Sequence, residues 1–131
     1  MSVTYKIMTT YKPGEGKTGK QICFPKLTGS MKMNLRDVSK ILAQRSSLSE
    51  GDVYAVVVNL VDLIPEMLMN GYSIKLDGLG SFRLHAKVTT EENPKDVNVH
   101  NIKGLRISFR PDNLMKNELS TKGITKAKPK K

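Results

Sequence analysis

Four basic residues, Arg83, Lys87, Arg106 and Arg110, sit in two segments that alternate apolar and polar side chains. In the first, Phe82, Leu84, Ala86 and Val88 alternate with Arg83, His85 and Lys87. In the second, Leu105, Ile107 and Phe109 alternate with Arg106, Ser108 and Arg110. A period of two is that of a strand with one buried face, so each pair of cations shares a polar side. If the strands pair, the four charges make one patch, bordered by Lys75 and Lys103. Cations clustered on a sheet face suit phosphate oxygens by charge and by hydrogen bonding. The plain alternative is an ordinary solvated face.

Other chemistries find less support. Gly14-Glu-Gly-Lys-Thr-Gly19-Lys20 approaches a phosphate-binding P-loop, but Gln21 stands where Ser or Thr would hold magnesium. The residues that follow alternate like a strand and are broken by Pro25, where a P-loop needs a helix. The segment reads as a flexible charged loop. His85, His100 and Cys23 lack metal-ligand spacing, so neither a metal nor another cofactor is expected. Asp62 and Glu66 lie four apart on the polar side of a helix, as solvated charges rather than acid–base catalysts. Met67 and Met69 read as core or interface filler. No Ser-His-Asp or Cys-His ordering stands out, and no enzyme or small-molecule substrate is expected.

The elements that would position the cations follow from pattern and caps. Val3, Tyr5 and Ile7 mark a short strand, and Ile22 and Phe24 a second, giving a strand pair over residues 1–33 ahead of the main domain. Asn34 with Asp37 signals a helix start, and Leu35, Val38, Ile41 and Leu42 form its apolar stripe. Ser49 with Asp52 starts a second helix whose wide apolar face runs from Val53 to Leu68 and ends at Asn70-Gly71. Pro65 inside it predicts a kink or a restart. The apolar area of this helical hairpin exceeds what so small a domain can bury, and a dimer would absorb the surplus. Ile74 and Leu76 then open a hairpin that turns at Asp77-Gly78 and Gly80. Residues 89–101 are polar with a turn signal at Asn93-Pro94, and Pro111 opens a short helix carrying Leu114, Met115 and Leu119. Residues 121–131 are Lys-rich with too few apolar residues to order themselves.

The chain has 131 residues, 38% of them hydrophobic, enough for one compact domain. No run of about 18 apolar residues predicts a membrane span. No apolar segment near the N-terminus reads as a secretory signal. A single cysteine fits a reducing cytoplasm. The formal charge of +10 is uneven: residues 1–33 contribute +5, residues 121–131 another +5, and residues 34–120 balance eleven basic against eleven acidic side chains. A polyanion partner is expected, and the ends alone are basic enough to attract one.

Gly78-Leu79-Gly80-Ser81-Phe82 directly after a long apolar helix, with Phe109-Arg110-Pro111 before the last helix, resembles the bacterial HU and integration-host-factor family of histone-like DNA-binding proteins. The resemblance covers about residues 34–120; the N-terminal extension is similar to that of longer HU-like proteins. It implies an α+β fold: a helical hairpin base, an antiparallel sheet with a protruding arm, and a short C-terminal helix in an intertwined dimer. That dimer would be formed by two identical chains or with a paralogue. It further implies an architectural duplex DNA-binding protein of the nucleoid, with little sequence preference, working through phosphate and minor-groove contacts. By position Pro94, with Lys95 beside it, matches the proline that the family wedges between base pairs. The rest of this arm departs from the family, since Glu91, Glu92 and Asp96 outnumber Lys95. Two readings stand. Either the strand-face cations and basic termini bind DNA, or the fold has been turned to protein–protein contacts with weak or no DNA bending.

Overall fold

The computed structural model describes residues 2–128. It divides the chain into two units rather than the single one that length suggests: Met1–Lys32 with Ser120–Lys131, and Met33–Leu119.

The first unit is a three-stranded sheet in the order β2-β1-β6, with β1 at Thr4–Tyr11, β2 at Gln21–Leu27 and β6 at Thr125–Lys126. β1 and β2 are antiparallel, with Tyr5 opposite Leu27 and Tyr11 opposite Gln21. The connection tightens into one 3-10 turn, Gly16–Thr18, and Lys12 N–H donates to the Lys20 carbonyl at 3.2 Å. β6 corrects the expectation of a disordered tail. It lies parallel to β1, where Ala127 N–H donates to the Tyr5 carbonyl at 2.8 Å and Thr125 N–H to the Val3 carbonyl at 3.3 Å. Residues too polar to order themselves gain order by filling the hydrogen-bonding edge of an existing strand. Residues 129–131 of that tail lie outside the described residues.

The second unit begins with two helices, α1 at Leu35–Gln44 and α2 at Glu50–Met69. Both starts follow from caps legible in the chain. Asn34 Oδ1 accepts from Asp37 N–H at 2.9 Å while Asp37 Oδ2 accepts from Asn34 N–H at 3.2 Å, and Ser49 Oγ accepts from Asp52 N–H at 3.1 Å. Each such cap stabilises its helix by about 1 kcal/mol. Pro65 does not restart α2, which is continuous through it; the missing N–H removes one bond of the ladder without ending it. Arg36 lies 5.7 Å from the Tyr54 ring across the hairpin, and buried Ser39 donates to the Leu35 carbonyl at 2.8 Å. Among the described residues no helix is long and apolar enough to cross a membrane.

Gly71, at φ +94°, releases the chain into β3 (Ile74–Leu76), followed by β4 (Gly80–Val88), β5 (Ile102–Pro111) and a five-residue α3 (Asn113–Asn117). The sheet order is β3-β4-β5, antiparallel throughout. One face is apolar: Phe82 lies opposite Phe109 with ring centroids 4.9 Å apart, and Leu84 lies opposite Ile107. Leu84, Leu105 and Ile107 meet Pro65, Leu68 and Met69 of α2 across a cleft of about 410 Å³. Val53 and Leu68 are the buried large apolar residues among the described residues. Leu105, Ile107 and Phe109 each remain about half exposed, at 50%, 50% and 45%.

The segment between β4 and β5 departs from the expected extended arm. It folds back through two 3-10 turns, Pro94–Asp96 and Val99–Asn101. Thr89 N–H donates to the Asn101 carbonyl at 2.8 Å, and the buried Asn101 amide donates to Thr89 Oγ1 and Glu91 Oε1, each at 3.1 Å. Short polar side chains that satisfy nearby backbone compete with strand extension, which is why this stretch closes instead of reaching out.

Candidate nucleic-acid interface

The β4–β5 register decides where the cations go. Ser81 pairs with Arg110, Arg83 with Ser108, His85 with Arg106 and Lys87 with Gly104. Paired residues of an antiparallel ladder share a face, and so do residues two apart along a strand. Arg83, Lys87, Arg106 and Arg110 therefore stand on one face, opposite the Phe82–Phe109 side. Lys75 joins them, since it pairs with Ser81 on β3. All five are exposed. Among the described residues none of them is ion-paired to a carboxylate.

The cations form a staircase. Each faces a residue other than Lys or Arg directly (Ser81, Ser108, His85 or Gly104), and its nearest Lys or Arg neighbour lies on the diagonal. Diagonal side chains are about 7–8 Å apart, against about 5 Å for directly opposite ones, so repulsion is relieved while the charge stays continuous. The four steps span about 20 Å along the strands. At the centre, His85 Nε2 and Ser108 Oγ are hydrogen-bonded at 2.7 Å. This contact escaped the sequence reading because it joins diagonal neighbours and needs the register. The alternation of residues 82–88 already places His85 beside the cations.

The Gly-Leu-Gly turn holds one end of this face. Gly80 adopts φ +155°, and a Cβ there would stand 2.6 Å from the Phe109 ring and collide with the Arg110 carbonyl. Gly78 N–H donates to Asp112 Oδ2 at 2.8 Å, and Asp112 N–H donates back to the Leu79 carbonyl at 3.1 Å. Asp112 also caps α3, accepting from Asn113 N–H at 2.7 Å. The hydrogen bond from Gly78, then that from Asn113, holds the Asp112 carboxyl below its ordinary value, with nearby Lys75 contributing.

The remaining candidates fall elsewhere. Lys103 is the extra residue of a bulge, where Lys87 pairs with Gly104 and Val88 with Ile102, so the register does not bring it onto the face. Pro94 and Lys95 occupy the first 3-10 turn of the closed loop, both exposed, with Asn93 Oδ1 accepting from Lys95 N–H at 3.1 Å. The P-loop-like stretch ends in a strand and presents no helix to an anion. Among the described residues no three His, Cys, Asp or Glu side chains converge as a metal site.

The family model for an HU domain fused to a winged helix-turn-helix, immunoglobulin or glycine-rich motif (HU-HIG) matches residues 1–126. Among solved structures, the chain is similar to an Anabaena HU crystallised with DNA, at 22% identity and a TM-score of 0.53, over 68% of this chain and 99% of that one. It is also similar to a candidate bacterial DNA-binding protein from Bacteroides vulgatus, at 10% identity and a TM-score of 0.63. That match covers 95% of this chain, which spans about half of the Bacteroides chain (49%). At these identities the likeness is one of fold. No curated protein matches the sequence.

Proposed function

Because the chain belongs to the HU-HIG family, we propose that it binds duplex DNA as an architectural protein of the nucleoid, with little sequence preference, through the β4–β5 cation face. The observation that carries this reading is the staircase of Arg110, Arg83, Arg106 and Lys87, continuous, exposed and, among the described residues, ion-paired to no carboxylate. Cations spread along a sheet meet phosphates at many positions, and phosphate contacts carry no sequence information, which gives affinity without sequence choice. The HU crystallised with DNA supports the same partner. The closed loop contributes little: Glu91, Glu92 and Asp96 repel phosphate, and Glu91 is tied to Asn101. Binding through the sheet with weak bending follows, in place of a wedge at Pro94.

The working unit in this proposal is a dimer. The chain exposes 11745 Å², whereas a compact monomer of this length exposes about 6,900 Å². Two units of these lengths that touched nowhere would still expose only about 8,200 Å². In the second unit the exposed side chains include the apolar Val56, Val61, Ile107 and Phe109. A second copy of the chain is the self-complementary cover such a surface requires.

The test is to titrate the full chain onto two duplexes of equal length and unrelated sequence. Affinities within about threefold, with two chains per complex by sedimentation, support the proposal. A preference above about 100-fold, or one chain per complex, contradicts it. No binding to either duplex would favour the second reading, in which the exposed Val97 and Val99 of the acidic loop make protein contacts.

A further inference from the structure

The whole net charge of the protein belongs to the unit built from its two ends. Among its residues the single acid is Glu15, which pairs with Lys12 at 3.9 Å. The β1–β2 register places two of the unit's lysines, Lys6 and Lys26, on one face. Thr4 meets Thr28 through their hydroxyls, then Lys6 pairs with Lys26, Met8 with Phe24 and Thr10 with Ile22. Beyond the last pair, the Lys12–Lys20 backbone hydrogen bond closes the ladder. Two lysines thus stand directly opposite each other, a placement that destabilises a sheet unless an anion lies over it. The β4–β5 face avoids this arrangement at every step. Beside the lysine pair, Phe24 and Ile22 are 41% and 42% exposed on a strand at the sheet's edge.

We propose that this β1–β2 face is a second nucleic-acid site, taking single-stranded rather than duplex nucleic acid. Lys6 and Lys26 would meet backbone phosphates, and the Phe24 ring would stack on an unpaired base. Lysines beside an exposed aromatic ring on a sheet suit a strand whose bases are free, because every base offers a π-face. A duplex offers none along its sides and would press Ile22 and Phe24 against a hydrated backbone. The site stands independently of the β4–β5 face.

The test measures binding of a fluorescent single-stranded oligonucleotide of mixed sequence to the full chain across a salt series. Phe24→Leu keeps apolar bulk but removes the ring. It is expected to weaken single-strand binding about 5- to 150-fold, with little effect on duplex binding. Lys6→Gln/Lys26→Gln is expected to lower the logarithmic salt slope by about 1.4 while raising Tm, since it removes the opposed charges. Unchanged single-strand binding in either variant overturns the proposal and leaves Lys26 as protection of the edge strand β2 against pairing. Arg83→Gln/Arg106→Gln, assayed on duplex, reports on the β4–β5 face whichever way this test falls.

Discussion

The Asp112 carboxylate accepts a hydrogen bond from the Gly78 amide at 2.8 Å, across 34 positions of sequence. The return bond from Asp112 N–H to the Leu79 carbonyl locks the β3–β4 turn to the end of β5. Arg110 lies two residues before Asp112, and Ser81 three after Gly78, so this clasp fixes the pairing that begins the cation staircase.

Asp112→Asn is expected to lower Tm at neutral pH, because the neutral amide oxygen is a weaker acceptor for both amides. The pH dependence follows from the direction of the shift. The folded carboxyl titrates below its ordinary value of 3.8, so its contribution is complete above that value. It is lost as pH falls through the lower folded value, where the folded state too takes up the proton. Thermal unfolding of both proteins at pH 7 and near pH 3 checks this: the gap between their Tm values narrows in acid.

Gly80→Ala forces a Cβ against the Arg110 carbonyl and the Phe109 ring at a backbone angle that L-residues rarely adopt. The expected cost is about 2–4 kcal/mol by urea denaturation. Gly29→Ala, where a Cβ meets open space, is the matched control and changes stability little.

Ile107→Glu places a charge on the half-exposed apolar face beside Phe109 and Leu105. If that face is covered by a second copy, sedimentation shifts from two chains to one. Wild-type Tm would rise with protein concentration, as it must when folding and association are linked.

Much of this architecture is legible in the chain because its signals are local. The Asn34–Asp37 and Ser49–Asp52 caps and Gly71 after α2 depend on neighbours within a few positions. Alternation alone assigns Arg83, Lys87, Arg106 and Arg110 to polar sides; which residue each cation faces needed the register. Lys103 shows the limit, since one bulge residue breaks the alternation that placed it near the patch. The ordering of residues 125–126 was hidden for another reason: the strand they pair with lies more than a hundred positions away. The Lys6–Lys26 pair likewise appears only once β1 and β2 are aligned.

The central claim concerns where duplex DNA meets the protein, and the salt dependence of duplex binding in wild type and Arg83→Gln/Arg106→Gln/Arg110→Gln tests it most directly. Each phosphate contact adds about 0.9 to the logarithmic salt slope, so the triple variant should lose about 2.7 and bind more weakly at every salt concentration. A slope and affinity equal to wild type, with the fold intact, would contradict the assignment and move duplex binding off the β4–β5 face.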